Sequence, residues 1–174
     1  MRRRQVGGRP AVDCHSERVI GEVGDADHGR SGPLSRRYSA LVWGAPRPPS
    51  GTIDRPLGRH SADRQRFAVR EGGKRAITHY ETVAPIGIAS EVLCTLETGR
   101  THQIRVHLAD IGTPLIGDAL YGAGFATKAS RLPPEARAAI AALGRQALHA
   151  GHLGFAHPSD GRLMQFDAPP PADL

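Results

Sequence analysis

The sequence predicts an α+β fold, with a mixed, mainly antiparallel β-sheet and a few flanking helices. Short β-rich stretches recur from residue 34 to the end of the chain, and several alternate in polarity. Most are separated by turn-forming Gly and Pro residues rather than by long helical segments. Two other stretches carry helical signals. The sequence therefore contains more predicted strand than helix.

The first predicted strand runs from Arg37 to Trp43. Successive side chains of a strand point to opposite faces, so Tyr38, Ala40 and Val42 should share one face, and Leu41 and Trp43 the other. The remaining predicted strands follow in order: Thr52–Asp54, Arg66–Val69, Ala76–Val83, Glu91–Glu97, Ala147–Phe155 and Leu163–Phe166.

The first predicted helix spans Thr101–Ile111. Its apolar stripe, spaced i, i+4, i+7, is Ile104, Leu108 and Ile111. Thr101 is predicted as the N-cap and Gly112 as the residue just past the C-terminal cap. A second helix is predicted over Pro134–Leu143, because Pro stands near its start and Gly144 past its end.

The chain divides near residue 34. Residues 1–33 are rich in Gly and Arg and show no period of 2 or 3.6 residues. Such a segment buries too little apolar surface to offset the entropy of ordering, so we predict loop or disorder there. Residues 34–174 are predicted to form one domain, which suits a chain of 174 residues.

The formal charge is +6, from 23 Lys and Arg against 17 Asp and Glu. A basic balance suits a polyanion such as RNA, although it is equally typical of a soluble protein rich in arginine. No apolar run approaches the roughly 18 residues of a membrane span, and the basic start leads into no apolar signal region. Cys14 and Cys94 form no disulfide framework. We therefore expect a cytoplasmic protein without a membrane partner.

Residues 96–122 hold the strongest chemical signal, the string LETGRTHQIRVHLADIGTPLIGDALYG. It clusters basic and amide side chains at the start of the first predicted helix: Arg100, His102, Gln103, Arg105 and His107. First-turn N–H groups of a helix attract anions, and arginine forks fit phosphate or carboxylate. The pattern predicts an anion site. The alternative for Arg100, His102 and Gln103 is that they cap or brace the turn.

This string resembles the C-terminal signature of the RluA family of RNA pseudouridine synthases. Other segments resemble family motifs in the same order: Arg37–Gly44, Gly51–Asp54, Arg59-His60, Gly73–Tyr80, Arg145–Ala150 and His157-Pro158. The resemblance spans residues 34–174. Its middle segments are most similar to the branch that modifies large-subunit ribosomal RNA.

The resemblance implies the pseudouridine synthase catalytic fold and the isomerisation of uridine to pseudouridine in RNA. The target nucleotide is flipped out of its stack, and no metal or organic cofactor takes part. Ribosomal RNA is expected as the partner ahead of transfer RNA, and the protein is expected to be a monomer. The alternative is a non-catalytic RNA-binding paralogue.

The resemblance also implies site residues. Tyr38 is expected to pack against the flipped uracil, and Arg105 to pair with the catalytic carboxylate in the same pocket. RNA contacts are expected from a further set: Arg59, His60, Arg100, His102 and Gln103. Asp118 is expected to hold the turn before Tyr121. No metal site is predicted, because the spacing of the late histidines matches no standard zinc motif: His149, His152 and His157.

The family's catalytic aspartate motif, His-Arg-(Leu/Ile)-Asp-Lys-x-Thr-Ser-Gly, does not occur in the 174 residues. The aspartates upstream of Tyr38 are Asp13, Asp25 and Asp27, and none has the flanking residues of that motif, so none is assigned the catalytic role. A reading-frame or start fault is the favoured explanation. A degenerate RNA-binding paralogue and an active enzyme with a relocated carboxylate are the others.

Two structural expectations follow from the missing motif. The missing segment should supply strands beside Arg37–Trp43, so its absence should expose backbone edges and apolar surface. Arg105 should also lack its carboxylate partner, which leaves room for another anion.

Overall fold

The computed structural model describes residues 34–174. Its strands are β1 (Leu34–Trp43), β2 (Ser50–Asp54), β3 (Leu57–Arg59), β4 (Phe67–Val69), β5 (Ile77–Ile86), β6 (Ala89–Leu96), β7 (Leu148–Ala156) and β8 (Leu163–Asp167). Its helices are α1 (Gln103–Asp110), α2 (Ala126–Ala129) and α3 (Pro134–Leu143), with a 3₁₀ turn at Ala123–Phe125. No helix in this part of the chain is long and apolar enough to cross a membrane. The prediction for residues 1–33 lies outside the described residues.

Six strands form one sheet in the order β2-β5-β6-β1-β7-β8, and β3 pairs with β4 in a separate two-stranded ribbon. Every neighbouring pair is antiparallel. The predicted α+β fold with a mainly antiparallel sheet is confirmed. The ribbon includes β3, which was not predicted from the sequence.

Strand β1 lies inside the sheet and packs on both faces. Ala40 and Val42 are fully buried in a core that includes Ile104 and Leu108 of α1, and Tyr38 packs against this core. The opposite face carries a second cluster: Leu41, Trp43, Ile116, Ile140, Leu143 and Ala147 among others. The predicted alternation of β1 is confirmed. Helix α1 covers one face of the sheet and α3 covers the other. The core contacts between β1 and α1 therefore fix the position of the α1 motif on the sheet.

Helix α1 begins at Gln103, and its N-cap is His102 rather than Thr101. The prediction is wrong because a turn precedes the helix, closed by the Gln103 N–H and the Arg100 carbonyl at 3.0 Å. His102 takes a left-handed φ of 58° and makes no side-chain capping bond. The other helix-end predictions are confirmed: Gly112 has φ 81° after α1, and Gly144 has φ 59° after α3.

The expected open edge beside Arg37–Trp43 is wrong. Strand β1 is hydrogen-bonded to β6 on one side and to β7 on the other, so no further strand can pair with it. Alternation in a sequence identifies a strand but not its neighbours. The edges of the described sheet are β2 and β8. Of these two edge strands, β8 exposes large apolar side chains, since Leu163 is 55% exposed and Phe166 is 51% exposed.

We expect the β8 edge to promote aggregation on mild heating, because an unpaired edge with apolar side chains is a template for association. The double variant Leu163→Lys with Phe166→Lys should aggregate more slowly, as measured by light scattering and dye binding. Val83→Lys is the matched control, since Val83 is 58% exposed on another strand. Equal protection by the control would contradict a role for this edge.

Candidate nucleic-acid interface and active-site residues

Gln103 braces the turn that precedes α1. It is 3% exposed, and both atoms of its amide are engaged. Its Oε1 accepts from the Thr98 hydroxyl at 2.8 Å and the Arg100 N–H at 2.9 Å, and its Nε2 donates to the Ile77 carbonyl at 2.9 Å. Because a buried amide needs its partners inside the protein, these bonds favour the bracing alternative for Gln103. RNA contact by Gln103 stays a prediction.

The same Nε2 continues into a buried polar chain. It donates to the Thr78 hydroxyl at 3.0 Å, which lies 2.9 Å from Nδ1 of His107. His107 Nε2 lies 2.9 Å from the Arg55 carbonyl, and the ring is fully buried. These partners fit a neutral imidazole that accepts at Nδ1 and donates at Nε2. Burial is the main cause that lowers the pKa of His107. The two polar residues of α1 thus tie the helix to β5.

This lowered pKa predicts a loss of stability in mild acid. The unfolded chain takes up a proton on His107 near pH 6.5, whereas the folded chain resists it until lower pH. The stability that the neutral His107 contributes to the folded chain is therefore fully present above about pH 6.5, and it falls as the pH drops below that value. Between pH 8 and pH 5.5, the free energy of unfolding in urea should fall less for His107→Gln than for the parent chain. The difference should reach up to about 1 kcal/mol. Parallel pH curves would contradict this.

Arg105 is paired, which corrects the expected vacancy. Its Nε and Nη2 donate to the two Asp118 oxygens at 2.7 and 2.8 Å. Asp118 Oδ1 also accepts the N–H groups of Leu120 and Tyr121 at 3.0 and 3.1 Å, so the predicted turn role of Asp118 is confirmed. Burial raises the pKa of Asp118, but the hydrogen bonds from Arg105 and the backbone outweigh it and lower the net pKa. The carboxylate is therefore ionised and aimed at Arg105.

Tyr121 lies at the centre of the surrounding contacts. Its hydroxyl accepts the Phe67 N–H at 2.9 Å and lies 2.9 Å from Nδ1 of His102. The Arg105 guanidinium lies 4.9 Å from the centre of its ring, and the Arg66 guanidinium 5.5 Å. Both distances are within the range of cation–π attraction. Sequence reasoning did not single out Tyr121 as a functional residue, although it is the second-last residue of the string at residues 96–122.

These contacts join residues far apart in the chain. The Phe67 and His102 rings meet edge to face at 5.9 Å, as do His102 and Tyr121 at 5.7 Å, and the Arg59 guanidinium lies 5.6 Å from the Phe67 ring. We call the set the Tyr121 cluster: Arg59, Arg66, Phe67, His102, Arg105 and Tyr121. It brings the β3–β4 ribbon against the start of α1. Cations and ring faces therefore alternate along one surface.

The other predicted RNA contacts, Arg100 and His60, have hydrogen-bond partners within the protein. Arg100 donates from Nε to the Arg75 carbonyl at 2.9 Å. His60 Nδ1 accepts the N–H groups of Ala62 and Asp63, each at 3.2 Å, so His60 holds the loop between β3 and β4. RNA contact by Arg59, His60, Arg100 and His102 stays a prediction.

Tyr38 lines a cavity of about 310 Å³ at the β8 side of the sheet. The lining residues are Arg36, Tyr38, Ala150, His152, Leu153, Phe166, Asp167 and Ala168. Arg105 is not among them, although α1 packs on the same face of the sheet as Tyr38. The prediction that Tyr38 and Arg105 face one pocket therefore stays open.

The late histidines have separate partners. His149 Nε2 lies 2.9 Å from the Ala168 carbonyl, and His152 Nδ1 lies 2.7 Å from Asp167 Oδ1. His157 is paired locally with Asp160 at 3.2 Å. Within residues 34–174, no group of three or more His, Cys, Asp or Glu side chains could hold a metal ion.

Residues 25–110 match the family model described as RNA pseudouridylate synthase. The match begins upstream of Leu34, so it includes Asp25 and Asp27, which lie outside the described residues. The chain is 47% identical over 151 residues to the "Ribosomal large subunit pseudouridine synthase D" of Zymomonas mobilis, covering 86% of the chain and 44% of that protein. It is 48% identical over 141 residues to an "Uncharacterized RNA pseudouridine synthase" of Mycobacterium bovis, covering 81% and 42%.

Among solved structures, the chain is similar to the "Human RNA Pseudouridylate Synthase Domain Containing 1". The TM-score is 0.60 at 27% sequence identity, over 79% of this chain and 55% of that one. The chain thus spans less than half the length of each of the two curated relatives named above.

Proposed function

The chain belongs to the RNA pseudouridylate synthase family, and from that premise we propose that it is the C-terminal portion of a catalytic domain acting on ribosomal RNA. The reaction of the domain is the isomerisation of uridine to pseudouridine in a flipped nucleotide. This portion binds RNA and positions the target, while the catalytic aspartate comes from a segment that the 174 residues do not contain. The domain acts in the cytoplasm as a monomer and needs no metal or organic cofactor.

The Tyr121 cluster is the observation that carries this proposal. Single-stranded nucleic acid is bound by grooves that combine positive charge with aromatic faces, because phosphates attract the cations and bases stack on the rings. Arg59 and Arg66 supply the charge, and Phe67 and Tyr121 supply the rings.

The geometry of Arg105 supports its role beside the missing carboxylate. Asp118 engages Nε and one N–H of Nη2, which leaves the Nη1 end of the fork for a second acceptor. Because Asp118 already neutralises the charge, a second anion is bound mainly by directed hydrogen bonds. Tyr121 covers one face of the guanidinium, so its orientation is fixed before the substrate arrives.

A second candidate function is a non-catalytic RNA-binding protein. The observation that favours it is that Arg105 is satisfied by Asp118 without any catalytic carboxylate. A chain of this kind keeps the Tyr121 cluster and its affinity for RNA but performs no chemistry. Turnover on a uridine-containing RNA separates the two functions.

RNA binding is expected to weaken steeply with salt, because each phosphate contact releases about one counterion. Arg100→Ala should lower affinity for all structured RNAs and reduce the salt slope by about one. Arg137→Ala is the matched control, since it removes an exposed arginine from α3 on the opposite face of the sheet. Fluorescence anisotropy at several salt concentrations measures both effects. Salt-independent binding, or equal loss in both variants, would contradict the proposed interface.

A further inference from the structure

We infer that Tyr121 is a positioning residue that fixes the tautomer of His102, so that His102 presents a neutral Nε2–H donor to an acceptor oxygen of bound RNA. The inference rests on the proposed RNA binding and deepens it by assigning the donor and the residue that sets it. The acceptor is a phosphate oxygen or a base-carbonyl oxygen next to Arg105, because an N–H group can donate a hydrogen bond to either kind of oxygen.

The direction of each hydrogen bond follows from counting donors. A tyrosine hydroxyl has one proton to donate and two lone pairs to accept with. The Phe67 N–H occupies one lone pair of the Tyr121 oxygen at 2.9 Å. Among the described residues, the acceptor in reach of the hydroxyl proton is Nδ1 of His102, also at 2.9 Å. The reverse direction, with Nδ1–H donated to the second lone pair, would leave the hydroxyl proton without an acceptor among the described residues. Tyr121 is therefore assigned as the donor to Nδ1, and the imidazole proton is assigned to Nε2.

The surroundings keep this imidazole neutral. Burial lowers the pKa of His102, and the nearby Arg105 cation lowers it further against the opposing effect of Asp118. A neutral ring with Nδ1 occupied can only donate through Nε2. His102 thus differs from the arginines of the cluster, because it offers one directed N–H without adding charge.

The backbone of His102 indicates that the position is set by more than helix capping. Its φ of 58° is left-handed, a backbone conformation that is strained for a residue with a Cβ atom. The side chain makes no capping bond that would offset this strain. Instead the ring lies between Phe67 and Tyr121, with both edge-to-face contacts under 6 Å between ring centres. These contacts hold the ring within hydrogen-bonding distance of the Tyr121 hydroxyl.

The tautomer is tested directly by ¹⁵N NMR of the imidazole nitrogens in the 174-residue chain, without RNA. We expect protonated Nε2 and unprotonated Nδ1 for His102 in the parent, and a mixture of both tautomers in Tyr121→Phe, which loses only the hydroxyl. A parent ring protonated on Nδ1, or an unchanged tautomer in Tyr121→Phe, would overturn the inference.

The donor is tested by comparing His102→Gln with His102→Asn for RNA affinity. The Gln Nε2 stands near the imidazole Nε2, whereas the shorter Asn amide does not reach it. Asn tolerates a left-handed backbone better than most residues, so a loss in His102→Asn does not reflect backbone strain. We expect His102→Asn to bind about 5-fold more weakly and His102→Gln to stay closer to the parent.

The outcomes separate the inference from the proposed function. If the parent binds RNA and His102→Asn binds equally well, the donor role is wrong while RNA binding stands. If the parent binds no RNA, the proposed function and the donor role both fail, whatever the tautomer. A loss of equal size for RNAs of different sequence identifies a phosphate acceptor, and a loss that depends on the base sequence identifies a base carbonyl. Both losses support the donor.

Discussion

Asp118→Ala is expected to lower the free energy of unfolding by about 3–5 kcal/mol, because breaking a buried ion pair leaves the partner charge uncompensated. The Asp118 side chain is fully buried and the Arg105 side chain only 15% exposed. The change also strips an acceptor from the backbone N–H groups of Leu120 and Tyr121. Tyr121 should then lose its position, so that the cluster and the turn fail together.

Urea unfolding followed by circular dichroism measures this effect. Asp110→Ala is the matched control, since Asp110 pairs with Arg55 at the surface, where the Arg55 side chain is 53% exposed. An exposed pair contributes within about 1 kcal/mol, so the control should unfold almost like the parent. Similar losses in both variants would mean that Asp118 does not hold Arg105 in the folded chain.

Local features of the fold could be predicted from the sequence, but the arrangement of strands could not. The alternation in β1 predicted both faces, because side chains of a strand have a fixed period. Gly112 and Gly144 marked helix ends, because both take the left-handed conformation that favours glycine. The neighbours of β1 depend on contacts between distant segments. No local pattern encodes these contacts, and the predicted open edge was therefore misplaced.

The candidate site was predicted in part. The string around α1 located the right segment, but the inward orientation of Gln103 was overlooked. A signal was present: Gln103 and His107 are four residues apart, beside the apolar positions Ile104 and Leu108, which places all of them on one helix face. The pairing of Arg105 with Asp118 and the central place of Tyr121 arise only when the loop after α1 folds back.

The largest expected effect is on activity, which we predict to be absent in the 174-residue chain. Breaking the glycosidic bond needs a carboxylate placed against the flipped nucleotide. The proposed roles of Tyr38 and Arg105 are in positioning the substrate, and neither side chain can replace that carboxylate. Removing a nucleophile from other enzymes costs on the order of a millionfold in rate.

Restoring the missing group should restore turnover. A chimaera that joins residues 34–174 to an upstream segment carrying the family's aspartate motif, His-Arg-(Leu/Ile)-Asp-Lys-x-Thr-Ser-Gly, is the test protein. Arg105→Ala in that chimaera is expected to abolish the recovered turnover, because the proposed role of Arg105 is to orient the carboxylate. Arg137→Ala in the same chimaera is the control and should leave turnover unchanged.

Among the described residues, Asp167 is the carboxylate that lines the Tyr38 cavity. Its side chain is 77% exposed and bonded to His152, so it is poorly placed to be held against a nucleotide. Asp25 and Asp27 fall within the family match, and Asp13 lies upstream of it. These aspartates define the variants that test a relocated carboxylate.

Tritium release from ribosomal RNA labelled at C5 of uridine tests the central claim most directly, with the purified 174-residue chain and the chimaera assayed side by side. We predict that the chain binds the RNA without releasing tritium above background, and that the chimaera releases it. Tritium release by the chain itself, abolished by Asp13→Ala, Asp25→Ala, Asp27→Ala or Asp167→Asn, would contradict the claim and assign the chemistry to a carboxylate within these 174 residues.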